Sequence, residues 1–489
     1  MSRIRILLCA TLGCSALACG AFGAGEAQAS THQKLYFEGS TELLSPVTRT
    51  AALAQLQTLG VKALRLELPW YSVAPAPTSA TKPSFEATNP GSYNWGQYDV
   101  LIAEAKRLGW QVLLTVTAPV PRWATANKKA PYTYRPDDLA FQEFMTAVGR
   151  HYATQVSLYS IWNEPNEPAY LTPQWTSKGK PASGRIYRGL YQSGYTGLAA
   201  GLKAAGVSRA PQVLFGETAP VGDDKVNVHR ERSRAFLHPV APLAFMREAL
   251  CLNKKYRKSG TCGKLQMAGY AHHAYFPAAG PKYVWKQKDS ATIASLSRLS
   301  KALNWAARAH AIPGGVPIYL TEFGVNSKPN KFEGVSAAKQ AEYDAIAEHM
   351  AYSNPRVAAF SQYLLKDDPL GGPFSVSAIG GFVGFQTGLE YVSGARKPLY
   401  YGFPVPLTVT KRGHHGFSLW GLVRPATGVT KATVLVKRKG AHKYRTLKRV
   451  RTNGAGYWSL HSSVKGTAWR VRWVSPAGVK YEGPPIHAY

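Results

Sequence analysis

Short apolar runs alternate along most of the chain with stretches whose apolar residues recur at helical spacing. Lys34 to Gly39 reads as a strand, and Leu53, Leu56 and Leu59 then mark a helix that stops at Gly60. Val61 to Trp70 is the next strand, and a helix from Gln97 to Leu108 closes at Gly109. The order repeats with strand Gln111 to Ala118, a helix capped by Asp137-Asp138 that runs to about Gln155, and the strand that ends in Asn163-Glu164. Helix Arg185 to Ala205, strand Gln212 to Glu217, strand Leu265 to Phe276, helix Ala291 to Ala311, strand Val316 to Glu322, helix Ser336 to Ser353 and strand Val357 to Tyr363 complete it. Eight strands in βα alternation predict an α/β fold, a (β/α)8 barrel. A doubly wound open sheet would need a Gly-rich phosphate turn after its first strand, and none is present.

Beyond Pro406 helical periodicity ends. Runs such as Ala432 to Val436 and Trp469 to Val474 are separated by Gly-rich turns, which predicts a small all-β, Ig-like sandwich. The expected organisation is a signal peptide over 1–29, a barrel over 30–403 and a β-sandwich over 404–489.

With 45% apolar and 18% charged residues in 489, the chain has enough apolar surface for a large core plus a satellite. Arg3 and Arg5 precede an apolar run, and Ala27-Gln28-Ala29 is an A-x-A site. That pattern predicts export, with cleavage after Ala29. An uncleaved anchor, or lipidation of Cys9, Cys14 or Cys19, are the alternatives. The mature chain then keeps Cys251 and Cys262, an even pair that favours a disulfide in an exported protein. No metal-ligand spacing surrounds them, and the sequence implies no cofactor and no metal.

The formal charge of +32 implies attraction to anionic polymers, or else serves solubility. Residues 404–489 hold 16 Lys and Arg against one acid, Glu482. Export turns the expected partner from nucleic acid to an anionic cell-envelope polymer.

In a barrel, chemistry gathers at the C-terminal ends of the strands. Trp70, Trp123, Asn163, Glu164, Glu217, His273, Tyr275 and Glu322 all fall there. Glu164 and Glu322, on the fourth and seventh strands, would face each other across the mouth. Two carboxyls about 5–5.5 Å apart suit a retaining glycosidase, one as nucleophile and one as acid/base. Asn163 is expected to meet a sugar hydroxyl, Tyr275 or His273 to orient the nucleophile, and Arg65 to keep it ionised. Trp70, Trp123 and Trp285 are candidate sugar platforms, with packing as the alternative. Trp162 reads as barrel packing, His272 as a satisfied core histidine, and Glu217 as a structural or site carboxylate. The cluster Arg230 to Arg234 with His229 and His238 reads as a solvated loop face or an anion contact.

Trp162-Asn163-Glu164-Pro165 together with Thr321-Glu322-Phe323-Gly324 resembles clan A glycoside hydrolases, in the region of families 5 and 39. The resemblance spans roughly residues 34–403, including Arg65, His273-x-Tyr275 and Gly394 to Tyr400. It implies Glu164 as acid/base, Glu322 as nucleophile, and a secreted enzyme acting on a carbohydrate. The chain departs from the clan at the end of strand eight, where Gln362-Tyr363-Leu364 stands in place of the usual Trp. The alternative is an inactive barrel that binds envelope polysaccharide.

Overall fold

A computed structural model describes residues 33–39, 41–126, 128, 132–227, 238–369 and 384–489. The expected signal peptide, the three cysteines within it, His229 and Arg230 to Arg234 lie outside these residues. Among the described residues, no helix is long and apolar enough to cross a membrane.

Eight parallel strands close into a barrel: β1 (Lys34–Glu38), β2 (Ala63–Pro69), β3 (Gln111–Thr117), β4 (Leu158–Ile161), β5 (Val213–Thr218), β6 (Gly269–His273), β7 (Ile318–Glu322) and β8 (Val357–Gln362). Each strand pairs with the next, and β1 closes on β8 through registers such as Leu35 with Phe360. Helices return the chain between them, among them Arg49–Thr58, Gly96–Arg107, Asp138–Tyr152, Ser183–Ala204, Leu296–Arg308 and Ala337–Tyr352. The Asp137 carboxylate accepts from the amide of Ala140 at 2.8 Å and so satisfies an otherwise orphaned donor at a helix start. The sixth strand is shorter than its apolar run predicts, Gly269–His273, because the residues on either side run as loop.

Alternation along β2 decides what faces where. Leu64, Leu66 and Leu68 pack outward against the helices, while Ala63, Arg65 and Glu67 point into the barrel. Tyr36, Ala63, Leu113, Leu214, Ala271 and Ala359 form an apolar floor across several strands. Above that floor the interior turns polar, with Arg65, Thr115, Ser160 and Ser361 all buried. The barrel is therefore a filled core whose charge is concentrated at the mouth.

Seven further strands make a two-layer sandwich: β9 (Leu407–Lys411), β10 (Phe417–Leu422), β11 (Lys431–Lys437), β12 (Arg445–Arg451), β13 (Tyr457–Ser462), β14 (Ala468–Val474) and β15 (Lys480–Glu482). One sheet runs β13-β10-β9 and the other β12-β11-β14-β15. Leu419, Val434, Trp458, Trp469 and Val471 fill the space between them. The sandwich is clamped to the barrel. Arg424 Nη2 donates to both oxygens of Glu348 at 3.0 and 2.9 Å, and His349 stacks on Trp420 at 4.7 Å. Gly60, at φ +87°, lies so near Pro425 that a Cβ there would sit 2.7 Å from its nitrogen. The expected disulfide joins Cys251 to Cys262, with 6.0 Å between their α-carbons.

Candidate active site

Arg65 is the hub of the mouth. It lies on β2, wholly buried, and its fork reaches four carboxylates. Nη1 donates to Glu38 at 2.8 Å and to Glu322 at 3.1 Å. Nη2 donates to Glu67 at 3.1 Å, Glu217 at 3.5 Å and the Asn163 amide oxygen at 2.7 Å. A planar guanidinium with five donors suits this crowding where an ammonium would not.

His273, at the end of β6, forms the second hub. Its Nδ1 lies 2.8 Å from Glu164 Oε1 and its Nε2 lies 2.8 Å from Glu217 Oε2. Burial lowers the imidazole pKa, but Glu322, Glu164 and Glu217 together raise it to about 10. It therefore carries both protons and donates to both carboxylates. Burial also acts on Glu217, yet Arg65 and His273 bring its carboxyl down to about 2. Thr321 donates to the same Glu217 oxygen at 2.6 Å.

Burial raises Glu164, Glu38 and Glu67, the latter two to about 8 and about 7. Glu38, Glu67 and Glu164 therefore keep their protons to higher pH than free carboxyls do. Tyr275 donates its hydroxyl to Glu322 Oε1 at 2.8 Å. Glu164, His273 and Glu322 each place one ligand-type atom within 4.8 Å of the others. The two carboxylates thus approach as closely as a double displacement requires, and closer than the separation of about 6.5–9.5 Å that leaves room for an inverting water. The same three atoms are a conceivable metal set. Both ring nitrogens of His273 already lie 2.8 Å from carboxylate oxygens.

Local backbone aims these groups. Trp162, Glu164 and Glu217 adopt φ of +73°, +37° and +46°, the left-handed region that residues with a Cβ avoid. Each such residue costs about 1–3 kcal/mol and persists only where the surroundings hold it. Asn163 is held between two of them, its amide donating to Thr117 Oγ1 at 2.9 Å. Around Glu217 the β5–β6 register shifts between Phe215 and Thr218. Without that irregularity Glu217 would face outward beside Phe215.

Of the residues expected at the site, Arg65, Asn163, Glu164, His273, Tyr275 and Glu322 come together. Trp70 and Trp123 do not join them as sugar platforms. Trp70 is fully buried and stacked on Phe144 at 5.1 Å, and Trp123 meets its edge at 5.5 Å. The Trp123 indole N–H donates to Pro75 O at 3.1 Å. Both pack the base of the loop after β2, the alternative named for them above. Trp162 is buried, and its indole donates to Tyr170 O at 3.0 Å. Trp285 is half-buried against Tyr283. His272 is a satisfied core histidine: it donates to Ala291 O, accepts from Thr218, and is held down to about 4 chiefly by burial.

Sequence reasoning missed Glu38 and Glu67, and left Glu217 open. It also missed an aromatic wall beside Glu322, where Phe385 lies 6.2 Å from Tyr275 and 5.1 Å from Tyr363. Burial, then the charges of Glu322 and Glu38, hold the Tyr363 hydroxyl protonated. Tyr363 directly follows the end of β8 and forms part of this wall.

No family model matches the chain, and no curated protein does. Solved structures do resemble it. A β-glucuronidase from Bacteroides uniformis aligns at 10% identity and a TM-score of 0.42, covering 94% of this chain and 46% of that one. A glucosidase from Croceicoccus marinus aligns at 12% and 0.48, covering 90% and 94%. A xylanase from Thermotoga petrophila, in complex with xylobiose, aligns at 13% and 0.43, covering 76% and 92%. Identities this low, with TM-scores below 0.5, leave the chemistry to the site's own residues.

Proposed function

We propose that the chain is a glycoside hydrolase that cleaves O-glycosidic bonds of a poly- or oligosaccharide with retention at the anomeric carbon. The observation that carries this reading is the pair Glu164 and Glu322, with carboxylate oxygens within 4.8 Å at the mouth of a closed barrel. Glu322 attacks the anomeric carbon as the bond to the leaving oxygen breaks, and Glu164 gives that oxygen its proton. Glu164 then takes a proton from water, whose oxygen displaces Glu322 from the anomeric carbon and frees the sugar. Burial raises Glu164, which suits the proton donor of the first step. Arg65 and Tyr275 hold the two oxygens of Glu322 for in-line attack. Asn163, its oxygen taken by Arg65, keeps its amide hydrogens for a sugar hydroxyl. An inactive binding barrel gives no reason to crowd four carboxylates on one arginine.

The reading includes export after Ala29. It also gives residues 404–489, taken as a second module, an anionic envelope polymer as partner.

The test is a polysaccharide digestion screen with Glu322→Ala as control. The parent chain should release reducing ends of the retained anomer, seen by NMR before mutarotation. Turnover in the variant should fall by roughly 10⁴-fold or more. Full activity in Glu322→Ala, or an inverted first product, overturns the reading.

A further inference from the structure

The outward face of the four-stranded sheet is strongly cationic. Lys431, Arg449, Arg451, Arg470, Arg472 and Lys480 all lie on it, since their strand neighbours Ala432, Val450, Val471 and Trp473 fill the core. Its one carboxylate, Glu482, is taken by Arg470 at 3.1 Å, Arg472 at 2.7 Å and Lys480 at 3.4 Å. Among the described residues, Lys431, Arg449 and Arg451 make no ion pair, and all three are exposed. Lys431 and Arg451 stand directly opposite each other across β11 and β12. Like charges in that position destabilise a sheet unless an anion lies between them.

Where this face points follows from the other sheet. Trp420, Leu422 and Tyr457 turn outward from the three-stranded sheet and pack on Tyr352 of the barrel helix Ala337–Tyr352. The four-stranded sheet therefore looks away from that helix. The loops at Ala426, Gly428, Gly454 and Ala455 share a cleft with Lys34, Lys62 and Gln111, which lie at or beside the starts of β1, β2 and β3. The sandwich thus sits by the N-terminal end of the barrel, while Glu164 and Glu322 stand at the C-terminal end. The buried Arg424–Glu348 pair ties the two parts together there.

We propose that this face, centred on Lys431, Arg449 and Arg451, docks an anionic polysaccharide, and does so independently of the barrel mouth. The inference rests on the polymer reading above and not on the glycosidase reading. Adjacent strands lie about 4.8 Å apart and alternate residues about 6.8 Å apart, so the cations form a flat grid. Such a grid meets sulfate, phosphate or carboxylate groups repeated along an extended chain, and Arg binds them through two donors at once. Readers of single-stranded nucleic acid interleave aromatic rings for the bases. Here the ring of Tyr444 is already covered by Arg470, 4.8 Å from its centroid. A polymer held on this face is therefore not the strand in the mouth.

The experiment uses the full chain on immobilised heparin, with neutral dextran and a DNA duplex as the other arms. The parent chain should be retained on heparin, elute with salt, and pass through dextran. Lys431→Gln/Arg449→Gln/Arg451→Gln, checked by melting to be folded, should bind at least about tenfold more weakly. Glu322→Ala should bind as the parent does. Failure of the parent to bind heparin at low salt overturns the polymer reading itself. Unchanged retention of the triple variant overturns the assignment to this face, and loss of retention in Glu322→Ala overturns its independence. Tighter binding to DNA than to heparin at equal salt overturns the polysaccharide.

Discussion

His273 and Glu217 face each other wholly buried, imidazole Nε2 to carboxylate Oε2 at 2.8 Å. Neither group meets solvent, and each helps to hold the other charged, together with Arg65 on the side of Glu217 and with Glu322 and Glu164 on the side of His273. This pair places a permanent imidazolium against Glu164, which then has to hold or release its own proton in that field.

Replacing Glu217 by Gln removes one of the carboxylates that raise His273. The imidazole pKa should fall from about 10 by roughly 1–3 units, read by NMR of the ring protons. The alkaline limb of the activity profile should move the same way. A ring that still titrates near 10 would show that Glu322 and Glu164 suffice.

Tyr275→Phe deletes a single donor to Glu322 and leaves the ring. A hydrogen bond to a charged acceptor contributes about 1.5–3 kcal/mol, so kcat/KM should drop by roughly 10–150-fold. Packing against Phe323 and Phe385 survives, so the melting temperature should hardly change. A KM effect with unaltered kcat would instead make Tyr275 a binding residue.

The pH dependence of stability has a definite sign. His273 is raised above its unfolded value, so its contribution is whole below about 6.5 and lost as pH climbs toward about 10. Glu38 and Glu67 are also raised, so they too favour the folded chain at low pH and lose that advantage through about 8 and about 7. Glu217 is depressed, so its contribution disappears only as pH falls from about 4.5 toward about 2. The chain should melt higher at pH 6 than at pH 9, and Glu38→Gln should flatten that slope. Calorimetric scans across this range decide it.

Arg424→Met should leave Glu348 buried without a partner, next to Asp344, itself raised to about 8 chiefly by burial and then by Glu348. Breaking one side of a buried pair costs about 3–5 kcal/mol. The loss should appear as a lower melting temperature, and Arg424→Met/Glu348→Leu should recover most of it.

How much of this was readable beforehand depends on how regular the backbone is. Alternation in Val61 to Trp70 sends Arg65 and Glu67 to the same side, so Glu67 was in principle legible as soon as Arg65 was assigned to the mouth. Glu38 carried the same signal at the end of β1. Glu217 was not legible in that way, because the shift at Gly216 and Glu217 reverses the face that a count by twos assigns. Trp70 and Trp123 fall at strand ends just as site residues do, and only three-dimensional packing reveals that they are enclosed, Trp70 by Phe141 and Phe144 and Trp123 by Trp70 and Phe85. Phe385 lies far along the chain from Tyr275, and no local pattern links them.

The left-handed backbone at Glu164 and Glu217 sets local stability against the charge of the mouth. Glycine would relieve both positions, and an apolar filling of the mouth would remove the need to hold protons on crowded carboxylates. At both positions the strained backbone and the crowded carboxylate fall on the same residue, so the chemistry of the mouth and its cost in stability are set together.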